Sequence, residues 1–233
     1  MLNTKTQKLV FVVLFVAVSL VAYSINFSPI LGTNKAYFTF FQFVGPITGG
    51  FLGPVFGAIA VLLTEIVRYL LSPVELNLFS LARFFPMVLA AIYFGTKHKR
   101  HASVVALACM VLFWLHPVGS QVWFYALYWL IPLGASFFAH RLFFRSLGTT
   151  FTAHAVGSTA FLYAFPTTPE LWVMLIPIVA VERIAFALGI SVSYVAFTTM
   201  LSKLPHSVSN TAIRIEQAYV LNVSKLTRMF ARA

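Results

Sequence analysis

Five ionisable side chains lie within otherwise apolar runs of this sequence: Glu65, Arg68, Arg83, Glu182 and Arg183. A charge at bilayer depth costs about 2.5–3.5 kcal/mol on insertion scales, so each such residue needs a partner or a task. Glu65 and Arg68 are three apart and share one helix face. Arginine suits carboxylate or phosphate because its planar fork offers two parallel hydrogen bonds. Three arginines against two glutamates leave one cation without an internal counter-charge. The chemistry this favours is capture of an anionic group in an outward-opening polar pocket, with Arg83 as the anion partner. The competing reading is a set of structural ion pairs, the spare arginine reaching toward the interface.

Other reactive residues carry less. His98, His101, His140 and His206 belong with basic clusters, and His116 precedes Pro117. His154 shares a helix with Gly157 and Ser158, but an i, i+4 spacing does not make a nucleophile–base pair, and a polar contact between helices is the expected role. Cys109 is the single cysteine, so no intrachain disulfide forms, and zinc-site spacings are absent. There is no Gly-x-x-x-x-Gly-Lys-Ser/Thr loop, so ATP hydrolysis is not expected. Catalytic residues, metal ligands and cofactors are all expected to be lacking.

The elements that must position these residues are set by hydropathy. Sixty per cent of the 233 residues are hydrophobic and 9% are charged, against about 25% charged in soluble domains. The apolar residues fall in runs of about 16–25, the length that crosses a core ~30 Å thick. An all-α, polytopic transmembrane bundle follows, with spans near 8–27, 37–52, 53–72, 77–96, 102–118, 121–144, 149–165 and 170–202. Residues 1–203 form the membrane domain and 204–233 a basic cytoplasmic tail. In that tail Asn210 could cap an interfacial helix, a frayed end being the alternative. Ala22-Tyr23-Ser24 is similar to a signal-peptidase site, but an uncleaved first span is expected, because later spans need a partner to set their orientation.

The net charge of +11 is not a nucleic-acid signature, because the basic residues sit in short clusters between apolar runs. With eight spans and both termini inside, Lys5, Lys8, Lys97, Lys99, Arg100, Arg141, Arg145, Lys203, Arg214, Lys225, Arg228 and Arg232 face the cytoplasm. Only Lys35 faces out. Reading 37–72 as one helix would need about 54 Å of length and would invert the charge bias downstream. Gly49, Gly50, Gly53 and Pro54 favour a break there. An uncharged Gly/Pro turn is tolerable at membrane depth only when covered by other helices or lining a cavity. At 1.5 Å per residue Glu65 and Arg83 lie about 10–12 Å below the outer ends of their helices and can face each other. Glu182 and Arg183 lie about 18 Å down the last helix, where neighbours about 100° apart should not both face one groove. The aromatic residues, Trp123, Tyr125, Trp129 and Trp172 among them, read mostly as interfacial belts or packing; a few near the outer loops could stack a planar ligand, but nothing in the sequence singles them out.

The stretch from Phe43 to Gly57, FVGPITGGFLGPVFG, resembles the second-to-third helix hairpin of substrate-binding S components of energy-coupling factor (ECF) transporters. In that family a short helix ends in a Gly-rich turn, "LGP..G" opens the third helix, and an ionisable residue follows, here Glu65. The resemblance covers about residues 8–96 and reaches loosely to Ile176-Pro177. Six spans are usual there, and small residues at four-residue spacing often mark the first helix; here Val21 follows Ala17. What it implies is uptake of a vitamin or micronutrient across the cell membrane. Ligand would be captured near the outer face, with energy from a separate transmembrane partner and ATPase subunits. The expected function is therefore a substrate-binding transport subunit for a small, anionic or vitamin-like metabolite, in contact with membrane lipid. A proton-coupled secondary transporter using Glu65 or Glu182, and then an intramembrane enzyme using His154 and Glu182, are the alternatives.

Overall fold

The computed structural model describes residues 4–30, 37–71, 82–204 and 213–221. The described residues are mostly helical. Helix α1 spans Thr4–Tyr23 and leads into a two-stranded antiparallel ribbon, β1 (Asn26–Pro29) paired with β2 (Tyr37–Thr39). Two short helices follow, α2 (Phe41–Val44) and α3 (Ile47–Leu52), then α4 (Pro54–Leu71) and α5 (Phe85–Gly95). Next come α6 (Lys99–Ala102), α7 (Val104–Leu115), α8 (Pro117–Gln121), a 3-10 segment (Trp123–Leu130) and α9 (Ile131–Ser136). The long helices α10 (Leu142–Ala164) and α11 (Pro169–Leu201) complete the bundle, and a 3-10 turn at Gln217–Tyr219 lies beyond them.

Among the described residues, three helices are long and apolar enough to cross a membrane: α1, α4 and α11. They answer to the spans expected at 8–27, 53–72 and 170–202. The other five expected spans take different forms. Tyr37–Thr39 is a strand, so the run 37–52 holds a strand and two short helices broken at Gly45-Pro46. Of the run 77–96, α5 is the described helix. The run 102–118 divides at His116, whose Nδ1 caps α8 by accepting from the Val118 N–H at 3.2 Å. The run 121–144 is not one helix either: it passes through the 3-10 segment and α9, then turns. Helix α10 accordingly begins at Leu142, not near 149.

Helix α10, which contains most of the expected span 149–165, is long but rich in Thr, Gly and Ser. It can be polar because it is enclosed by α5, α7, α9 and α11. Thr149 and Thr152 return their hydroxyls to the Arg145 and Gly148 carbonyls, both at 2.8 Å, so these two hydroxyl hydrogens are satisfied within the helix itself. Arg145, expected in a cytoplasmic loop, is thereby inside the first turns of α10 and only 8% exposed.

The Gly/Pro hairpin is a packing device. A Cβ on Gly49 would lie 1.9 Å from the Ala91 carbonyl oxygen, and one on Gly57 would lie 2.4 Å from Gly49 Cα. Three backbones, α3, α4 and α5, therefore meet without side chains between them. Gly53 turns the chain between α3 and α4 at φ +82°, a conformation that costs glycine little. No residue from 43 to 57 lines the cavity described below. Of the two roles open to this turn, the structure gives it close packing.

Residues 213–221 cross the opposite end of the bundle from the ribbon. The Arg214 N–H donates to the Phe51 carbonyl at 2.8 Å, the Leu221 N–H to Thr199 Oγ1 at 2.9 Å, and the Tyr219 hydroxyl to the His140 carbonyl at 2.9 Å. Ile213 is buried. Where the expected tail helix would include these residues, the chain is instead extended with one 3-10 turn. Asn210, Lys225, Arg228 and Arg232 lie outside the described residues, as do Lys35 and residues 72–81.

Candidate functional site

A cavity of about 220 Å³ opens beside the ribbon. Its walls come from the end of α1, the ribbon, α4, the start of α5, α10 and α11. Four of the five expected site residues line it: Glu65, Arg83, Glu182 and Arg183. The fifth, Arg68, is outside the lining and sits behind Glu65.

Glu65 is 2% exposed on the inner face of α4. The Tyr23 hydroxyl donates to its Oε1 at 2.6 Å, and Arg68 Nε stands 3.6 Å from its Oε2. The Arg68 guanidinium lies over the Tyr23 ring at 4.8 Å, and that ring stacks on Phe41 at 4.4 Å. One carboxylate thus ties α1 to α4 while turning part of itself to the cavity. Arg83 is exposed, in the turn before α5, at the cavity edge.

Glu182 and Arg183 both line the cavity, contrary to the 100° argument. The reason is side-chain length: Arg183 curls back so that its Nη2 donates to Glu182 Oε2 at 2.8 Å. The guanidinium is held between Phe186 at 4.2 Å and Phe38 of β2 at 5.0 Å. Ser28 of β1 donates to Glu182 Oε1 at 2.9 Å. The ribbon is therefore fastened over α11 by a carboxylate and by a guanidinium–aromatic stack. The buried Arg183 Nε has no hydrogen-bond partner among the described residues.

The far wall is aromatic. Tyr125, Phe161 and Trp172 face the cavity together with His154 and Ser158 of α10. Trp172 is 1% exposed, and its indole N–H donates to Thr167 Oγ1 at 3.1 Å. His154 is held from two sides, with Tyr125 Oη 3.0 Å from its Nε2 and the Trp129 N–H 3.1 Å from its Nδ1. Such a His is a satisfied contact between helices. Among the described residues no cluster of His, Cys, Asp or Glu could hold a metal ion.

Sequence reasoning missed the ribbon and the aromatic wall. For the ribbon a signal existed: Gly32, Thr33 and Asn34 separate two short aromatic-bearing runs, a hairpin signature. For Tyr125 and Trp172 there was none, since belt, core and ligand-facing aromatics look alike in one sequence.

Family models, curated proteins and solved structures were compared with the chain, and none matches. The functional reading therefore rests on the geometry.

Proposed function

We propose that this chain is a substrate-binding transport subunit, a multi-pass protein of the cell membrane that captures a small anionic or vitamin-like metabolite in the cavity beside the ribbon. The observation that carries the reading is the composition of that cavity. Two arginines and two glutamates converge on about 220 Å³ walled otherwise mainly by aromatic and aliphatic side chains, with Thr39, Gln42, His154 and Ser158 among them. Ion pairs built only to lock helices have no need of such a space. With Arg68 directly behind Glu65, the neighbourhood holds one more cation than anion, which favours a ligand carrying a single negative charge.

The membrane arrangement we propose is eight crossings with both termini in the cytoplasm. Its support is the distribution of basic residues. Lys99, Arg145 and Arg214 gather at the end of the bundle opposite the cavity, where residues 213–221 cross it, and Arg141 and Lys203 flank the helix ends there. That end faces the cytoplasm by the positive-inside rule, and the cavity then opens outward. Shorter helices and the 3-10 segment are tolerable at membrane depth where other helices cover their backbone. Energy would come from separate partners, an ECF-type transmembrane subunit with ATPases, because the chain has no nucleotide-binding loop.

The deciding experiment is affinity purification of the tagged chain in mild detergent, with mass spectrometry of proteins and small molecules. Recovery of a second membrane protein with two ATPases, or of a stoichiometric small acid, is the expected result. A chain that purifies alone from cells encoding such ATPases, and binds no acid, would overturn the proposal.

A further inference from the structure

The hydrogen bonds behind the aromatic wall have a fixed direction. An indole N–H can only donate, so the Trp129 bond to His154 Nδ1 at 3.1 Å requires a lone pair on Nδ1. The ring hydrogen of His154 then sits on Nε2. Tyr125 Oη, 3.0 Å away, accepts that hydrogen and cannot return its own to the same nitrogen. The Tyr125 O–H is left to donate elsewhere.

The geometry of this relay is held by packing. Trp129 is fully buried and Tyr125 is 1% exposed. Phe113 stacks on Tyr125 at 5.7 Å and meets Trp129 edge-on at 5.2 Å, while Trp172 meets Tyr125 edge-on at 4.9 Å. Trp129 lies outside the cavity lining; His154 and Tyr125 are within it. The relay thus begins in the core and ends at the cavity wall. Ser158, one turn beyond His154, also lines the cavity. Its hydroxyl donates to the Tyr125 oxygen, so the Tyr125 O–H remains the hydrogen offered to the cavity.

We propose that Tyr125 is a specificity-determining donor, selecting ligands that present a hydrogen-bond acceptor, a ring nitrogen or a carbonyl oxygen, to the aromatic wall. This rests on the binding function proposed above. The preferred ligand class is a small planar acid, its anionic group among the arginines and its acceptor at Tyr125. A donor such as an amino group at that point would meet O–H against N–H, and both would be left unsatisfied. Trp129, which never touches ligand, is a positioning residue: it sets the tautomer that sets the direction.

The test uses the full chain in detergent and the quenching of tryptophan fluorescence, with benzoate, pyridine-3- and pyridine-4-carboxylate, and 3- and 4-aminobenzoate as probes. At least one pyridine acid should bind about tenfold more tightly than benzoate, the worth of one satisfied buried hydrogen bond. The aminobenzoates should bind no better than benzoate. Tyr125→Phe should erase the pyridine advantage, bringing the pyridine acids and benzoate to the same affinity. Trp129→Phe should also weaken it, because a freed Nδ1 lets the ring hydrogen move and Tyr125 turn its O–H to Nε2. That effect from outside the cavity keeps the proposal testable if Tyr125→Phe does not fold. Benzoate binding with no pyridine advantage, or an advantage that survives both substitutions, overturns the donor role and leaves the anion-binding reading standing. If none of the acids binds at millimolar concentration, the anion-binding reading falls, and this inference with it.

Discussion

Oε1 of Glu216 accepts from Arg145 Nη1 at 2.8 Å and from the Tyr194 hydroxyl at 2.7 Å, joining residues 213–221 to helices α10 and α11. The Arg145 guanidinium is otherwise surrounded by rings, with Phe94 at 4.2 Å, Tyr194 at 4.7 Å and Tyr219 at 5.8 Å. Its Nε and Nη2 have no hydrogen-bond partner among the described residues. Glu216 is thus the anion that makes this buried cation tolerable.

Glu216→Ala should destabilise the protein by about 1–3 kcal/mol through the loss of a charged hydrogen bond, lowering Tm by about 2–10 °C. Burial pushes the Glu216 carboxyl up, but the Arg145 charge and the hydrogen bonds from Arg145 and Tyr194 outweigh it and hold the group below its ordinary 4.5. A depressed folded value means that the contribution is complete above pH 4.5 and is lost as pH falls through that lower value. Thermal unfolding in detergent between pH 7 and pH 3 checks this. The gap between wild type and Glu216→Ala should close only at the acid end.

Lys99 titrates in the opposite sense. Burial and the neighbouring Arg145 charge, partly offset by Glu216, lower it from 10.5 to about 8. Its Nζ donates to the Phe94 and Thr96 carbonyls at the end of α5, at 3.3 and 2.5 Å. Between about pH 8 and pH 10.5 the folded chain has released a proton that the unfolded chain retains, so stability should rise with pH across that window. Lys99→Gln should abolish the rise. Lysine NMR after reductive methylation gives the midpoint directly, and a value near 10.5 would contradict the burial argument.

The sequence could reveal the charges but not their pairing. Glu65, Arg83, Glu182 and Arg183 stand out because an apolar run makes any charge conspicuous, and all four line one cavity. Helical angle, however, locates a Cβ and not the end of an arginine, so Arg183 curling onto Glu182 was not legible. Of α10 the expected span 149–165 covers all but the first turns; Leu142–Gly148, with Arg145, read as loop because a charge there can be accepted only when other helices enclose it. The Gly49–Gly57 motif was legible as a break. Its packing role needed the Ala91 backbone, some forty residues away in sequence.

That packing role predicts a sharp contrast between two glycines. Gly49→Ala puts a methyl group 1.9 Å from the Ala91 carbonyl oxygen, and rigid backbone on both sides leaves no room for relief. The cost should be at least the 1–3 kcal/mol typical of overpacked cores, seen as loss of the monodisperse peak in detergent. Gly134 of α9 has nothing within 4 Å of its Cβ direction. Gly134→Ala should be neutral or stabilise by about 0.5–1 kcal/mol through helix propensity.

Arg83 and Arg183 should separate binding from folding. Arg83 is exposed at the cavity edge, so Arg83→Gln should leave Tm nearly unchanged, as surface substitutions do. If Arg83 is the anion partner, affinity for a carboxylate probe such as benzoate should still fall tenfold or more. Arg183 is 2% exposed and paired with Glu182, so Arg183→Gln leaves a carboxylate held, among the described residues, by Ser28 alone. Breaking such a buried pair costs about 3–5 kcal/mol, and folding and binding should be lost together. The measurement is carboxylate affinity and Tm on the same preparations. Full affinity in Arg83→Gln would move the anion away from the cavity edge. Loss of folded protein in Arg83→Gln, with no separable effect on affinity, would return all these charges to the role of helix locks.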